Sequence, residues 1–139
     1  MKEFKEFVKK GVVKKQSPNL SRASALLKES EKDYSFLKLV LDKIPLSDEN
    51  SNAIIISCYD IAMKKIRAEM LKKGLNASGY GAHEAEIAYL KKIGFSEREV
   101  EFANQLRYFR NGIEYYGKSF GKEYAKKVLD FLEKIRGFE

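Results

Sequence analysis

The side chains of this 139-residue chain best suited to chemistry crowd into one stretch, Arg107-Tyr108-Phe109-Arg110-Asn111-Gly112-Ile113-Glu114-Tyr115-Tyr116-Gly117-Lys118. On a helix, Arg107, Arg110, Asn111, Glu114 and Lys118 fall on adjoining turns through i+3 and i+4 steps. Tyr115 follows Arg110 by five residues, about 140° round a helix of period 3.6. Two guanidinium forks, an amide and phenolic hydroxyls gathered this way can hold a phosphodiester, orient a ribose hydroxyl or stack a base. The same residues also suit an ordinary solvated face. Arg110 and Glu114 make an i,i+4 pair, and Arg107 can reach Asn111 or Glu114, each contact being worth about 0.2–0.5 kcal/mol. Tyr116 can equally be core with its hydroxyl at the edge. Gly112 inside a helix costs about 1 kcal/mol relative to alanine, a cost that a close approach by another helix or a ligand would explain.

Outside this stretch, three residues carry chemical potential. His83, the only histidine, starts a helix after a glycine-rich loop; it fits either an exposed helix start or a titrating group that joins a site. Asp60 interrupts the apolar face of a long helix and is placed to pair with Arg107 or Arg110 across a bundle. Cys58, the only cysteine, suits a small core position. One histidine and one cysteine cannot assemble a zinc site within one chain. No cofactor fingerprint is visible: Gly79-Tyr80-Gly81 lacks both the third glycine and the preceding strand of a phosphate-cradling loop. Neither a metal nor a cofactor is therefore expected.

These residues must be positioned by helices. Residues 2 to 15 pattern as a short basic helix with Phe4, Phe7, Val8 and Val12 on one side, broken by Gln16-Ser17-Pro18-Asn19. Ser21 is placed to cap a second helix running to about Ile44, with Ala23, Leu27, Tyr34, Leu37, Leu41 and Ile44 as its inner stripe. Pro45 stops it. A third helix is expected from Ser47 or Asp48 to Lys73, closed by Gly74. Its wide apolar face (Ile54, Ile55, Cys58, Tyr59, Ile61, Ala62, Ile66, Met70) suits the central helix of a bundle or one shared with a dimer partner. Residues 76–81 compose a loop. A shorter helix spans about His83 to Lys92, and Ser96 with Glu99 forms a capping-box signature for the next. That helix, from about Glu97 to Tyr116, carries Phe102, Leu106, Phe109, Ile113 and Tyr116 at helical spacing. A last amphipathic helix covers about 122 to 136. The expected fold is all-α, an antiparallel bundle of about five to six helices in one domain over residues 1–139: a basic N-terminal helix within 1–18, then a bundle over 20–136.

Composition narrows the class further. The length suits a single domain with its own core. Lys and Arg number 27 against 20 Asp and Glu, a net charge of +7, which favours polyanionic partners such as RNA, DNA or nucleotides or simply solvates the helices. The longest apolar run, Ala53-Ile54-Ile55-Ile56, is far below the roughly 20 residues of a membrane span. The charged N-terminus lacks the apolar stretch of a secretory signal. With a lone cysteine, these features predict a cytoplasmic protein.

The stretch SCYDIAMKKIRAEM (Ser57–Met70), then Lys73-Gly74, the histidine-containing helix start GYGAHEAEIAYL and the helix ending in RNGIEYYG together resemble a HEPN domain over about residues 20 to 135. The resemblance implies an antiparallel helical bundle that dimerises. The family motif is an arginine, commonly followed by a polar residue, with a histidine after four to six intervening residues. Arg110 matches the arginine and Asn111 the polar residue, while Tyr115 or Tyr116 stands where the histidine would. In the ribonuclease members, two protomers bring these motifs together as a metal-independent endoribonuclease site. The resemblance thus implies an RNA or nucleotide site with Arg110, Asn111, Tyr115 and Tyr116 as its catalytic residues, Arg110 stabilising the phosphorane and Tyr115 or Tyr116 positioning or donating a proton. The clustering of side chains adds Arg107, Tyr108 and Lys118 as nucleic-acid contacts and Asp60, Glu114 and His83 as support. Cleavage would proceed by attack of a ribose 2′-hydroxyl on the adjacent phosphate. A free phenol, with pKa about 10, is a poor base at neutral pH, so binding survives the histidine-to-tyrosine change more readily than catalysis does. The resemblance also implies a second role, as a non-catalytic partner of a small nucleotidyltransferase in toxin–antitoxin-like pairs.

Overall fold

A computed structural model describes residues 1–138, in which six helices and one two-stranded ribbon follow in the order α1 (Phe4–Lys9), β1 (Val13–Lys15), α2 (Leu20–Lys43), α3 (Ser51–Lys72), β2 (Leu75–Ala77), α4 (Ala82–Lys92), α5 (Glu97–Tyr116) and α6 (Lys122–Arg136). The bundle is built round α3, whose thirteen buried residues include Ile55, Ile61 and Met70. The breadth of its apolar face is accounted for by neighbours on several sides: α2, α4, α5 and α6 all pack against it. Contacts from Asn19 to Leu71 at the start of α2 and from Ser30 to Ile61 further along it show α2 and α3 running antiparallel. Arg110 against Asp60 and the Lys118 carbonyl against Asn52 do the same for α5 and α3. No helix is long and apolar enough to cross a membrane among the described residues.

The N-terminal segment departs from the expected helix over 2–15. Helix α1 ends at Lys9 because Gly11, at φ 79°, turns the chain. Val13–Lys15 then pairs antiparallel with Leu75–Ala77, Val13 opposite Ala77 and Lys14 opposite Asn76. Residues 75–77, partly assigned to a loop from composition, are therefore extended. The β-branched Val13 is buried beneath the ribbon, and such a residue loses less in a strand than in a helix. Phe4 and Phe7 of α1 reach the core as their spacing requires, Phe4 packing on Tyr89 of α4.

Two helix starts lie elsewhere than expected. Asn19, not Ser21, caps α2 by accepting from the Arg22 amide at 3.0 Å. Helix α3 starts at Ser51 instead of Ser47 or Asp48, because Ser47 and Asn50 exchange hydrogen bonds in a preceding turn. Ile44, placed on the inner stripe of α2, is 57% exposed because the chain is already extended there. Tyr116 is 77% exposed and is not core.

The start of α5 matches its signature. Ser96 Oγ accepts from the Glu99 amide at 3.1 Å, and the Glu99 carboxylate accepts from the Ser96 amide at 2.9 Å. The backbone bond from Ser96 holds the Glu99 carboxyl below its ordinary range. A depressed folded-state pKa contributes stability above the unfolded carboxylate value, and that contribution disappears as pH falls through the folded one. Glu99→Gln keeps the hydrogen bond but removes the charge. Its thermal midpoint should therefore lie below wild type at pH about 7 and converge with it near pH about 3; a gap independent of pH would exclude this account.

Candidate functional site

Helix α5 carries Arg107 and Arg110 across the face of α3 and the start of α4. The Arg110 guanidinium lies 5.7 Å from the centre of the Tyr59 ring and 3.6 Å from Asp60. Asp60 thus meets one of the two arginines it was positioned to reach. Burial pushes the Asp60 carboxyl above its ordinary range, while Arg110 and Lys64 pull it back. Arg107 stands 3.9 Å from Glu84 on α4, and its Nε donates to Asn104 one turn earlier. The pairs expected from spacing toward the end of α5 do not form: among the described residues Arg110 does not bridge to Glu114, and Arg107 bonds neither Asn111 nor Glu114.

The two long contacts contrast with a third cation nearby. Arg67 on α3 grips Glu86 on α4 in a fork, at 2.6 and 3.0 Å, with the Glu86 side chain 1% exposed. That arginine is consumed by structure. Arg107 and Arg110 hold their carboxylates at distances beyond a hydrogen bond, which leaves terminal guanidinium nitrogens free to donate, although Arg107 Nε is engaged by Asn104. The Arg110 Nε and the Tyr59 hydroxyl are both buried without a hydrogen-bond partner among the described residues. Burial raises the Tyr59 phenol above its ordinary pKa, Arg107 and Arg110 opposing the rise. It remains protonated near neutrality and can serve as a donor.

His83 reaches this cluster from α4. Its ring lies 6.4 Å from that of Tyr59, on the side of a cleft of about 600 Å³ that Asp60, Lys64 and Arg67 also line. Apolar side chains, among them Phe36, Val40 and Ile54, line the same cleft. The structure therefore brings together Arg107, Arg110, Asp60 and His83 round Tyr59.

It does not bring the exposed tyrosines there. Tyr108, Tyr115 and Tyr116 are at least 70% exposed, and none has a hydrogen bond among the described residues. Glu114 is exposed and Asn111 half-buried, likewise without side-chain partners among the described residues. Lys118 lies in the turn after α5, its amide bonded to the Gly112 carbonyl. The close approach at Gly112 comes from Lys118, whose Cγ would stand 3.1 Å from an added Cβ, and not from another helix. Cys58 is a buried core thiol pushed up to about 12 by burial, which leaves it unreactive.

No family model, curated protein or solved structure matches the chain. The site is therefore argued from its geometry. Sequence spacing missed Tyr59, grouped with the apolar stripe, and the Arg67–Glu86 pair. A signal for the pair was present: Glu86 sits between Ala85 and Ile87 in an apolar run, and a charge in that position needs a buried partner. Among the described residues no group of three or more His, Cys, Asp or Glu is placed to hold a metal ion.

Proposed function

We propose that this is a HEPN-type protein that binds RNA or a nucleotide through Arg110 and Arg107, with Asn111 and Tyr59 beside them. The observation that carries this reading is the loose hold of both arginines on their carboxylates, 3.6 and 3.9 Å, beside the tight fork that consumes Arg67. A phosphate offers the planar guanidinium paired, charge-assisted acceptor oxygens that Asp60 and Glu84 supply only at a distance. Asp60 then orients Arg110, and Tyr59 adds a buried donor. His83, itself exposed, brings an imidazole beside the same ring and the same cleft, where Tyr115 and Tyr116 do not reach. The homodimer that belongs with this reading has apolar surface to use: Phe36 and Leu39 on α2 are 68% and 56% exposed.

Binding of a fluorescent oligoribonucleotide and of uridine monophosphate tests the reading. Arg110→Ala should weaken both at least about tenfold, as expected for a charge-assisted bond worth about 1.5–3 kcal/mol, and should shift the thermal midpoint little. Unchanged affinity would remove Arg110 from the site. The same RNA incubated with EDTA separates binding from cleavage. Products that vanish in Arg110→Ala and persist in Tyr115→Phe would support a metal-independent nuclease in which Tyr115 is dispensable. No products from any RNA would leave a binding protein.

A further inference from the structure

The positive charge of this chain is segregated. Residues 1–28 hold eight Lys and Arg against two Glu, a net +6, so the remaining 111 residues together supply only +1. The candidate site itself is close to neutral, since Arg67, Arg107, Arg110 and Lys64 each face a carboxylate. The ribbon end of the bundle is different. Register places Lys14 opposite Asn76, and the Asn76 side chain accepts from the Arg22 guanidinium at 3.5 Å, joining α2 to the ribbon. Lys15 follows in β1, and Lys73 precedes Gly74, whose carbonyl accepts from the Gln16 amide at 2.8 Å. Lys14, Lys15, Arg22 and Lys73 are all exposed, and none forms an ion pair among the described residues.

We infer that the exposed cations at the β1–β2 ribbon, Lys14 and Arg22 at Asn76 with Lys15 and Lys73 close by in the chain, form a second phosphate-binding platform that holds the backbone of an RNA strand running on to Arg110. This rests on the proposed function and extends it from a single phosphate to a polymer. The chain joins the two ends: β2 leads through residues 78–81 to α4 and His83, whose ring neighbours the Tyr59 ring that Arg110 also faces. Thirteen residues of α3 separate Asp60 from Lys73, about 20 Å at the helical rise, or about six phosphates at the spacing of one strand. A mononucleotide cannot reach both ends. A bilayer fits less well than RNA. Phe4, Phe7 and Val13 are turned into the core, and among the described residues Leu20 and the Tyr80 ring in the loop after β2 are the large apolar side chains exposed at this end, too little apolar surface to seat a helix in a membrane.

The decisive measurement is the salt dependence of binding for an oligoribonucleotide of about twelve nucleotides, between about 50 and 200 mM salt. It compares wild type with the triple variant Lys14→Gln, Lys15→Gln, Arg22→Gln. Each lost contact to a single strand should reduce the slope of log affinity against log salt by about 0.7, so the triple variant should lose about 2. Its affinity at low salt should fall at least tenfold, roughly the loss of contacts that size, with uridine monophosphate binding and the thermal midpoint unchanged. An unchanged slope overturns the platform, and if Arg110→Ala still weakens binding, the proposed function stands without it. A reduced slope with Arg110→Ala inert would keep the platform and discard Arg110. Wild type that binds phosphatidylserine vesicles but neither RNA nor nucleotide would overturn both.

Discussion

Arg67→Ala is expected to lower the stability of the protein by about 3–5 kcal/mol, the cost of leaving a buried charge without its partner. The Glu86 side chain is 1% exposed and receives two bonds from Arg67, at 2.6 and 3.0 Å. Truncation would leave that carboxylate between Ala85 and Ile87, both fully buried, with no counter-charge at bonding distance. Thermal or urea unfolding measures the loss directly, and a fall in midpoint of roughly 10 °C or more is the corresponding thermal signature. The double variant Arg67→Met, Glu86→Leu separates attraction from desolvation. It removes both charges at similar volume and should recover most of the stability, because a buried pair is often no better than a well-packed apolar one. A single variant as stable as wild type would show that water reaches Glu86 once the arginine is gone.

The second large effect is expected at Gly74. Its φ of 73° lies in the left-handed region, and a Cβ there would stand 2.2 Å from the Gln16 carbonyl oxygen. The obstacle is backbone, so no side chain can swing aside. Gly74→Ala should therefore cost about 1–3 kcal/mol for the conformation and about 1–3 kcal/mol more for displacing β1. Gly79, at φ 76° with nothing within 4 Å of an added Cβ, isolates the conformational part: Gly79→Ala should show only the smaller loss. Hydrogen exchange should report the damage locally, with protection falling at Val13–Lys15 and Leu75–Ala77 before the core of α3. The same variant should weaken oligonucleotide binding, since Lys14 and Asn76 face each other only while the ribbon is paired. A ribbon still protected in Gly74→Ala would mean that Gln16 moves at little cost.

Local chemistry dictated most of the helices. Ser96 with Glu99 marked the start of α5, Pro45 the end of α2 and Gly74 the end of α3, because capping, proline and glycine act on neighbours within a few residues. The period of 3.6 gave α3 an apolar face broad enough for a central helix or for one shared with a dimer partner, and packing by α2, α4, α5 and α6 made it central. It also set Asp60 on the face where an arginine from α5 could meet it, and the clustering of Arg107, Arg110 and Asn111 on successive turns is a property of spacing alone.

Tertiary structure decided the rest. The pairing of Val13–Lys15 with Leu75–Ala77 depends on segments far apart in the chain, and no local period records it; a basic helix was the natural expectation for residues 2–15. Tyr115 and Tyr116, which the proposed HEPN resemblance would set in place of a histidine, stand exposed and apart from Tyr59, whereas His83, also exposed, comes beside Tyr59 from another helix. Spacing along α5 offered Arg110 a carboxylate at Glu114, but packing against α3 supplied Asp60 instead. Whether a guanidinium is gripped at 2.6 Å like Arg67 or held off at 3.6 Å like Arg110 depends on how helices approach. That approach is the sum of many side-chain contacts, none of which is local in sequence.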